Sequence, residues 1–192
     1  MSALPEIRYT LEEYLELDAT SDIRYEYFDG EIVDMAGATL NHNRISRNIL
    51  NSLTNRLENS PCEALPADMR IKVPVALPYR YPDVSVVCGE VRIEKMGEVE
   101  LLLNPVLIVE VLSSTTASYD REGKFLAYQS IESFHEYLLI EQERPHVTQY
   151  VRQADGWWLR RDVIGLESEL NLPSVGCTLS LAEMYRGVVF AE

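Results

Sequence analysis

No apolar stretch in this sequence approaches the roughly 20 residues that a membrane-spanning helix needs. Met1 to Arg8 has no basic region leading into an apolar one, so no signal peptide is expected and the chain is read as cytoplasmic. Cysteine is sparse and scattered. Cys62, Cys88 and Cys177 form no C-x-x-C pair and no zinc-ligand spacing, so buried free thiols in a reducing compartment are expected. Lysine occurs only as Lys72, Lys95 and Lys124. Lys plus Arg number 17 against 31 Asp plus Glu, a formal net charge of −14. A field of that sign repels nucleic acid, so binding to DNA would need a local basic groove. Internal repeats and low-complexity segments are also missing, and a phosphate-free hydrolase, the weakest reading, finds neither a nucleophile elbow nor a Ser–His arrangement.

The composition is 46% hydrophobic and 25% charged over 192 residues, ordinary usage for one globular domain spanning 1–192. Thr10 and Glu13 form a capping box before a helix that runs to about Asp18, with Leu11, Tyr14 and Leu15 on one face. Asp29-Gly30 sits between two β-favouring runs and reads as a hairpin turn. Asn41 to Glu58 reads as a long amphipathic helix, with Ile45, Ile49, Leu53 and Leu57 as its core stripe and Ser46, Asn48 and Asn51 on a solvated face. Pro61 ends it. A strand is expected over Glu63 to Val73, a second over Asp83 to Cys88, and a surface loop over Gly89 to Asn104. Val106 to Leu112, almost wholly apolar, reads as a central strand covered on both faces. A helix from Asp120 to Ile131 follows, then strands at Glu136 to Ile140, Val147 to Val151 and Trp157 to Val163. A short helix from Leu181 to Arg186 closes the chain, with Ser180 as its N-cap. Trp157-Trp158 reads as a core and surface pair. The fold class is α/β (α+β), a mixed sheet flanked by helices.

Glu110 lies in the middle of the apolar run Val106-Leu-Ile-Val-Glu-Val-Leu112. A charge there is expensive to bury unless it is paired or bound to a metal. A strand-end carboxylate bonded to an arginine or to backbone amides would explain it equally. Asp83 follows Pro82 at the start of another β run. Two carboxylates on adjacent strands, with the backbone carbonyl of Val111, match the oxygen ligands that Mg2+ takes.

Tyr81-Pro82-Asp83 followed by Ile108-Val109-Glu110-Val111-Leu112-Ser113 resembles the signature of the PD-(D/E)XK nucleases. The detail is similar to one branch, the Uma-two family of restriction endonuclease-like proteins. It runs from Arg24-Tyr25-Glu26 through Asp29-Gly30-Glu31-Ile32-Val33 and Met35, His42, Pro82 to Val86, and Glu110 to Thr116. Asp120-Arg121, Lys124, Tyr128 and Glu136-Tyr137 complete the ordered set. The resemblance implies a restriction-endonuclease-like mixed sheet with Asp83 and Glu110 as ligands of Mg2+ or Mn2+. Val111 would lend its carbonyl and Glu26 a third acid. It implies hydrolysis of nucleic-acid phosphodiester bonds, DNA before RNA, by a homodimer. The superfamily's lysine falls at position 112, which here is Leu112, and Lys124 is the candidate replacement. His42 reads as a cap or a core-edge hydrogen bonder, and Tyr128 as a packing residue. The alternative is a catalytically silent binding or regulatory domain on the same fold, favoured by Leu112 and the −14 charge. Arg70, Lys72 and Arg121 are candidates for a local phosphate-binding cluster, and Tyr79, Tyr81 and Phe134 for a dimer surface.

Overall fold

A computed structural model of the chain describes residues 8–21, 25–28, 30–34, 38–75, 78–113 and 120–190. Helix α1 (Leu11–Thr20) starts on the capping box: the Glu13 amide donates to Thr10 Oγ1 at 3.2 Å, and Glu13 Oε2 accepts from the Thr10 amide at 2.7 Å. Its buried Tyr14 packs on the hairpin of β1 (Tyr25–Phe28) and β2 (Glu31–Asp34) and donates to the Tyr25 carbonyl. Gly30 takes the turn with φ of 94°, a conformation costly for any residue with a Cβ. Helix α2 (Leu40–Leu57) buries the expected stripe of Ile45, Ile49, Leu53 and Leu57. At about 1.5–3 kcal/mol for each such side chain removed from water, the stripe is what docks the helix.

The sheet that receives α2 has six strands in the order β11-β10-β9-β8-β5-β3. These are β3 (Cys62–Pro66), β5 (Val84–Cys88), β8 (Pro105–Leu112), β9 (Glu136–Glu141), β10 (His146–Arg152) and β11 (Trp158–Ile164). β8 and β9 run parallel and the other neighbours antiparallel, so the sheet is mixed as expected. β8 alternates between two cores. Leu107, Val109 and Val111 face α2, while Ile108 and Leu112 face an aromatic group of Tyr128, Phe134 and Tyr137. Glu110 follows the second set.

Four expectations for the elements change. The run from Glu63 to Val73 is not one strand. It turns at Ala67-Asp68, and β4 (Arg70–Ile71) leaves the main sheet to pair in parallel with β7 (Val99–Leu102). The segment Gly89 to Asn104 is not a loop. β6 (Ile93–Met96) and β7 form a hairpin turned at Gly97, φ of 62°. The helix after Asp120 is a π-helical turn, Asp120–Lys124, leading into the short α3 (Phe125–Tyr128), and does not reach Ile131. The terminal helix α4 (Leu181–Met184) is also short, and the Ser180 side chain does not cap it. Before it a further hairpin, β12 (Glu169–Leu172) and β13 (Cys177–Ser180), lays Leu170, Leu172 and Leu179 on the α2 side of the core.

Residue-level expectations change too. Asn48 is not on a solvated face. It is buried and donates to the carbonyls of Met184 and Arg186, satisfying the end of α4. Cys62 and Cys88 are not free: the β3–β5 register sets them opposite each other and they form a disulfide, leaving Cys177 as the free thiol. Tyr79, Tyr81 and Phe134 are core residues, exposed by 2% or less, and line no surface. Among the described residues no helix is long and apolar enough to cross a membrane.

Candidate active site

Two strand ends and one helical turn meet at the site. β5 begins at Val84, whose register partner on β8 is Val109, so Asp83 lies beside Glu110 at the mouth of β5. Beyond the end of that ladder the Val111 amide donates a hydrogen bond to Asp83 Oδ2 at 2.7 Å. Asp83 Oδ1 meets His42 Nε2 of α2 at 3.2 Å. Burial lowers the His42 pKa, but the Asp83 carboxylate, helped by Asp120 and the Val111 carbonyl, outweighs it and raises the net value.

Glu110 reaches into the second core. It is 4% exposed. Its Oε1 accepts from the Tyr128 hydroxyl at 2.9 Å and from Lys124 Nζ at 3.3 Å. Lys124, also buried, reaches two further acids: Asp120 Oδ1 at 3.1 Å and Glu26 Oε1 at 3.3 Å. Glu26 is held on β1, where the Tyr81 amide donates to it. The Tyr137 hydroxyl donates to the Asp120 carbonyl and anchors the π-helical turn. One ammonium thus collects Glu26 from β1, Glu110 from β8 and Asp120 from its own turn.

The electrostatics follow from burial and crowding. Burial pushes the Glu110 carboxyl well above the usual range; Lys124 pulls it down, while Asp120, Asp83 and Glu26 push it further up. Burial opposes the Lys124 charge, yet Glu110, Glu26 and Asp120 outweigh it and hold the ammonium well above its ordinary pKa. Burial raises Tyr128 as well, with Glu110 and Glu26 adding to it. Four carboxylates stand against Lys124, the titratable His42, and Arg80, a buried cation within electrostatic range of Tyr128. Hard oxygen donors with surplus negative charge suit a cation such as Mg2+ or Mn2+. Among the described residues no three His, Cys, Asp or Glu side chains already converge at ligand spacing.

Of the residues singled out from the sequence, Glu26, Glu110 and Lys124 lie in contact. Asp83 and Val111 adjoin them but bond toward His42. Asp120, Tyr128 and His42 belong to the same constellation although the sequence offered only bland roles for them. The available signal was the spacing of Asp120, Lys124 and Tyr128, four apart on one helical face. Arg24, Asp29, Met35 and the run 114–116 lie outside the described residues. Of the basic residues singled out, Arg70 is paired with Asp18, Lys72 with Glu94 and Arg121 with Glu141.

Comparison with known proteins gives a consistent result. A family profile, Uma2, described as "Putative restriction endonuclease", matches residues 11–182. An uncharacterized protein of Synechocystis, slr1290, is 34% identical over 181 residues, covering 93% of this chain and 92% of that protein. A second Synechocystis protein, sll1609, is 34% identical over 162 residues, covering 84% of this chain and 91% of that one. Among solved structures, "a putative nuclease belonging to DUF820" from Anabaena variabilis superposes with a TM-score of 0.75 at 18% identity, over 94% of this chain and 99% of that one. That likeness establishes a shared restriction-endonuclease-like fold.

Proposed function

The chain belongs to the Uma2 family of restriction-endonuclease-like proteins, and on that premise we propose that it is a divalent-metal-dependent endonuclease hydrolysing nucleic-acid phosphodiester bonds, DNA before RNA. The observation that carries the reading is the position of Lys124. With leucine at 112, a cation still lies at 3.3 Å from Glu110, supplied by the next element of the chain. A lone surface pair with Asp120 would give no reason for that burial.

Asp83, Glu110 and the Val111 carbonyl are the groups that would hold Mg2+ or Mn2+. When bound, such an ion supplies positive charge that polarises a phosphoryl oxygen and lowers the pKa of an attacking water. The chain's own residues do the rest. Lys124 lends its positive charge to the phosphoryl oxygens, where negative charge develops, or to the placing of the water that attacks. Glu26 and Asp120 hold that ammonium charged and aimed. Tyr128 fixes the Glu110 rotamer through its hydrogen bond, and His42 fixes Asp83.

The test compares wild type with Asp83→Asn, Glu110→Gln and Lys124→Gln on plasmid, single-stranded DNA and RNA, with Mg2+, Mn2+ and EDTA. Cleavage is expected only with metal. It should vanish in the two carboxylate variants and fall by about a hundredfold or more in Lys124→Gln, the scale for losing one preorganised donor. A specific observation favours the second reading, a silent binding or regulatory domain: Glu110 already has both Lys124 and Tyr128 on one oxygen. A wild type that cuts none of the substrates, or carboxylate variants that cut as well as it does, would establish that reading instead.

A further inference from the structure

β11 closes one side of the six-stranded sheet, and no described segment pairs with its outer edge. Its seven residues include neither proline nor lysine, and its register with β10 is unbroken. Of the devices that blunt an exposed edge, proline, lysine and a bulge are absent, while charge is present as Arg160, Arg161 and Asp162. The opposite edge differs: β3 has five residues and ends in Pro66. Exposed apolar side chains lie along or beside β11, with Trp157 at 77%, Leu159 at 56% and Ile164 at 63%.

The hydrogen-bond phase determines which groups face outward. The Gln153 amide donates to the Trp157 carbonyl at 2.7 Å, and the Gly165 amide to the Pro145 carbonyl at 3.0 Å. Both bonds lie in register with the β10–β11 ladder. Odd-numbered residues therefore bond to β10, and the amides and carbonyls of Trp158, Arg160, Asp162 and Ile164 point away from it. A second β11 running antiparallel can pair only even with even. Centred on Arg161, it sets Arg160 opposite Asp162 twice, Trp158 opposite Ile164, and Leu159 opposite Val163. A slip of two residues one way sets Arg160 against Arg160, and the other way Asp162 against Asp162. Like charges directly opposite are destabilising, so charge selects the centred register. The self-pair of Arg161 is relieved because its guanidinium is engaged by its own chain, at Gln149 and, at 2.8 Å, the Asn171 carbonyl.

We propose that β11 pairs antiparallel with β11 of a second copy, centred on Arg161, with Arg160–Asp162 ion pairs across the two-fold axis. Thr148 and His146 hold the Asp162 carboxylate in place, at 2.7 Å and 3.0 Å. Arg160 pairs with Asp162 of its own strand at 3.0 Å; with a side chain 53% exposed, it can swing from that carboxylate to Asp162 of the facing copy. The pairing uses no residue of the candidate active site and stands apart from the nuclease reading.

Sedimentation velocity at tens of micromolar tests it. Wild type should be a dimer. Arg160→Asp sets two carboxylates against each other and should weaken the dimer by about a hundredfold. Arg160→Asp combined with Asp162→Arg should restore it, which simple unfolding could not do. Arg161→Cys, made together with Cys177→Ser, should oxidise to a covalent dimer linked at position 161. That arm decides the matter if Arg160→Asp does not fold. A monomeric wild type, a dimer that Arg160→Asp leaves intact, or an Arg161→Cys chain that fails to cross-link overturns the proposal.

Discussion

At Lys124 one ammonium is shared by three carboxylates, Glu26, Glu110 and Asp120, and all four groups are at most 5% exposed. Attraction within such a group is large only because water is excluded, and for the same reason removing one partner is costly. Lys124→Met keeps much of the side-chain volume and removes the charge, leaving the acids facing one another. The expected loss is about 3–5 kcal/mol at neutral pH, the scale for a buried ion pair broken from one side. The sign of its pH dependence follows. Lys124 is what pulls the raised Glu110 carboxyl down, so without the ammonium Glu110 takes up a proton more readily, and protonation relieves the repulsion. The gap between wild type and variant should therefore narrow as pH falls through the raised Glu110 range. Urea unfolding of both proteins across that range measures it, and a gap that stays constant would mean that Lys124 contributes packing rather than charge.

Elements with strong periodicity are legible in the sequence. The four-residue recurrence of Ile45, Ile49, Leu53 and Leu57 located α2, and the apolar run around Glu110 located β8 as a central strand. What escaped had weak local signals. β6 alternates exposed and half-buried residues over Ile93–Met96, with Glu94 and Lys95 inside it, so it reads as polar loop until Gly97 is seen to make a hairpin turn. The site was legible where a residue conflicted with its surroundings, as Glu110 does, and illegible where the partner is remote. Nothing near Glu26 in sequence announces that Lys124 will reach it. Glu136 is a similar case. Buried on β9, it accepts from Gln149 on β10 and from the Ser174 amide and hydroxyl, at 3.1 Å and 2.6 Å, which ties the β12–β13 turn to the sheet. Burial raises its pKa more than the Ser174 and Gln149 bonds lower it. A raised carboxyl contributes stability that is fully present below its unfolded pKa of about 4.3 and is lost as pH rises through the folded value. Glu136→Gln does not titrate at this position. Wild type should therefore lose stability relative to Glu136→Gln as pH climbs from acid toward neutral, read from urea midpoints; a difference independent of pH would show that burial leaves this carboxyl unperturbed.

For the molecule as a whole, the −14 charge has to be reconciled with a phosphodiester substrate. Of the 17 Lys and Arg residues, at least eight are already paired with carboxylates: Arg56, Arg70, Lys72, Lys95, Arg121, Lys124, Arg144 and Arg160. At most nine cations remain to displace counterions from DNA, and the surrounding field repels it within a Debye length of about 10 Å at 0.1 M salt. Each phosphate neutralised adds about −0.9 to the slope of log Kobs against log[salt]. A chain engaging DNA through a metal and two or three arginines should therefore show a shallow slope, no steeper than about −3. Its affinity should be weak throughout and should disappear in EDTA, because without a divalent ion the acidic site meets phosphate with like charge. Fluorescence anisotropy on a labelled duplex, titrated with salt in Ca2+ and again in EDTA, reads both quantities. A slope of about −5 or steeper, or binding that survives EDTA, would mean that a basic surface rather than the carboxylate site holds the nucleic acid. Asp83 and Glu110 would then have no part in recognition.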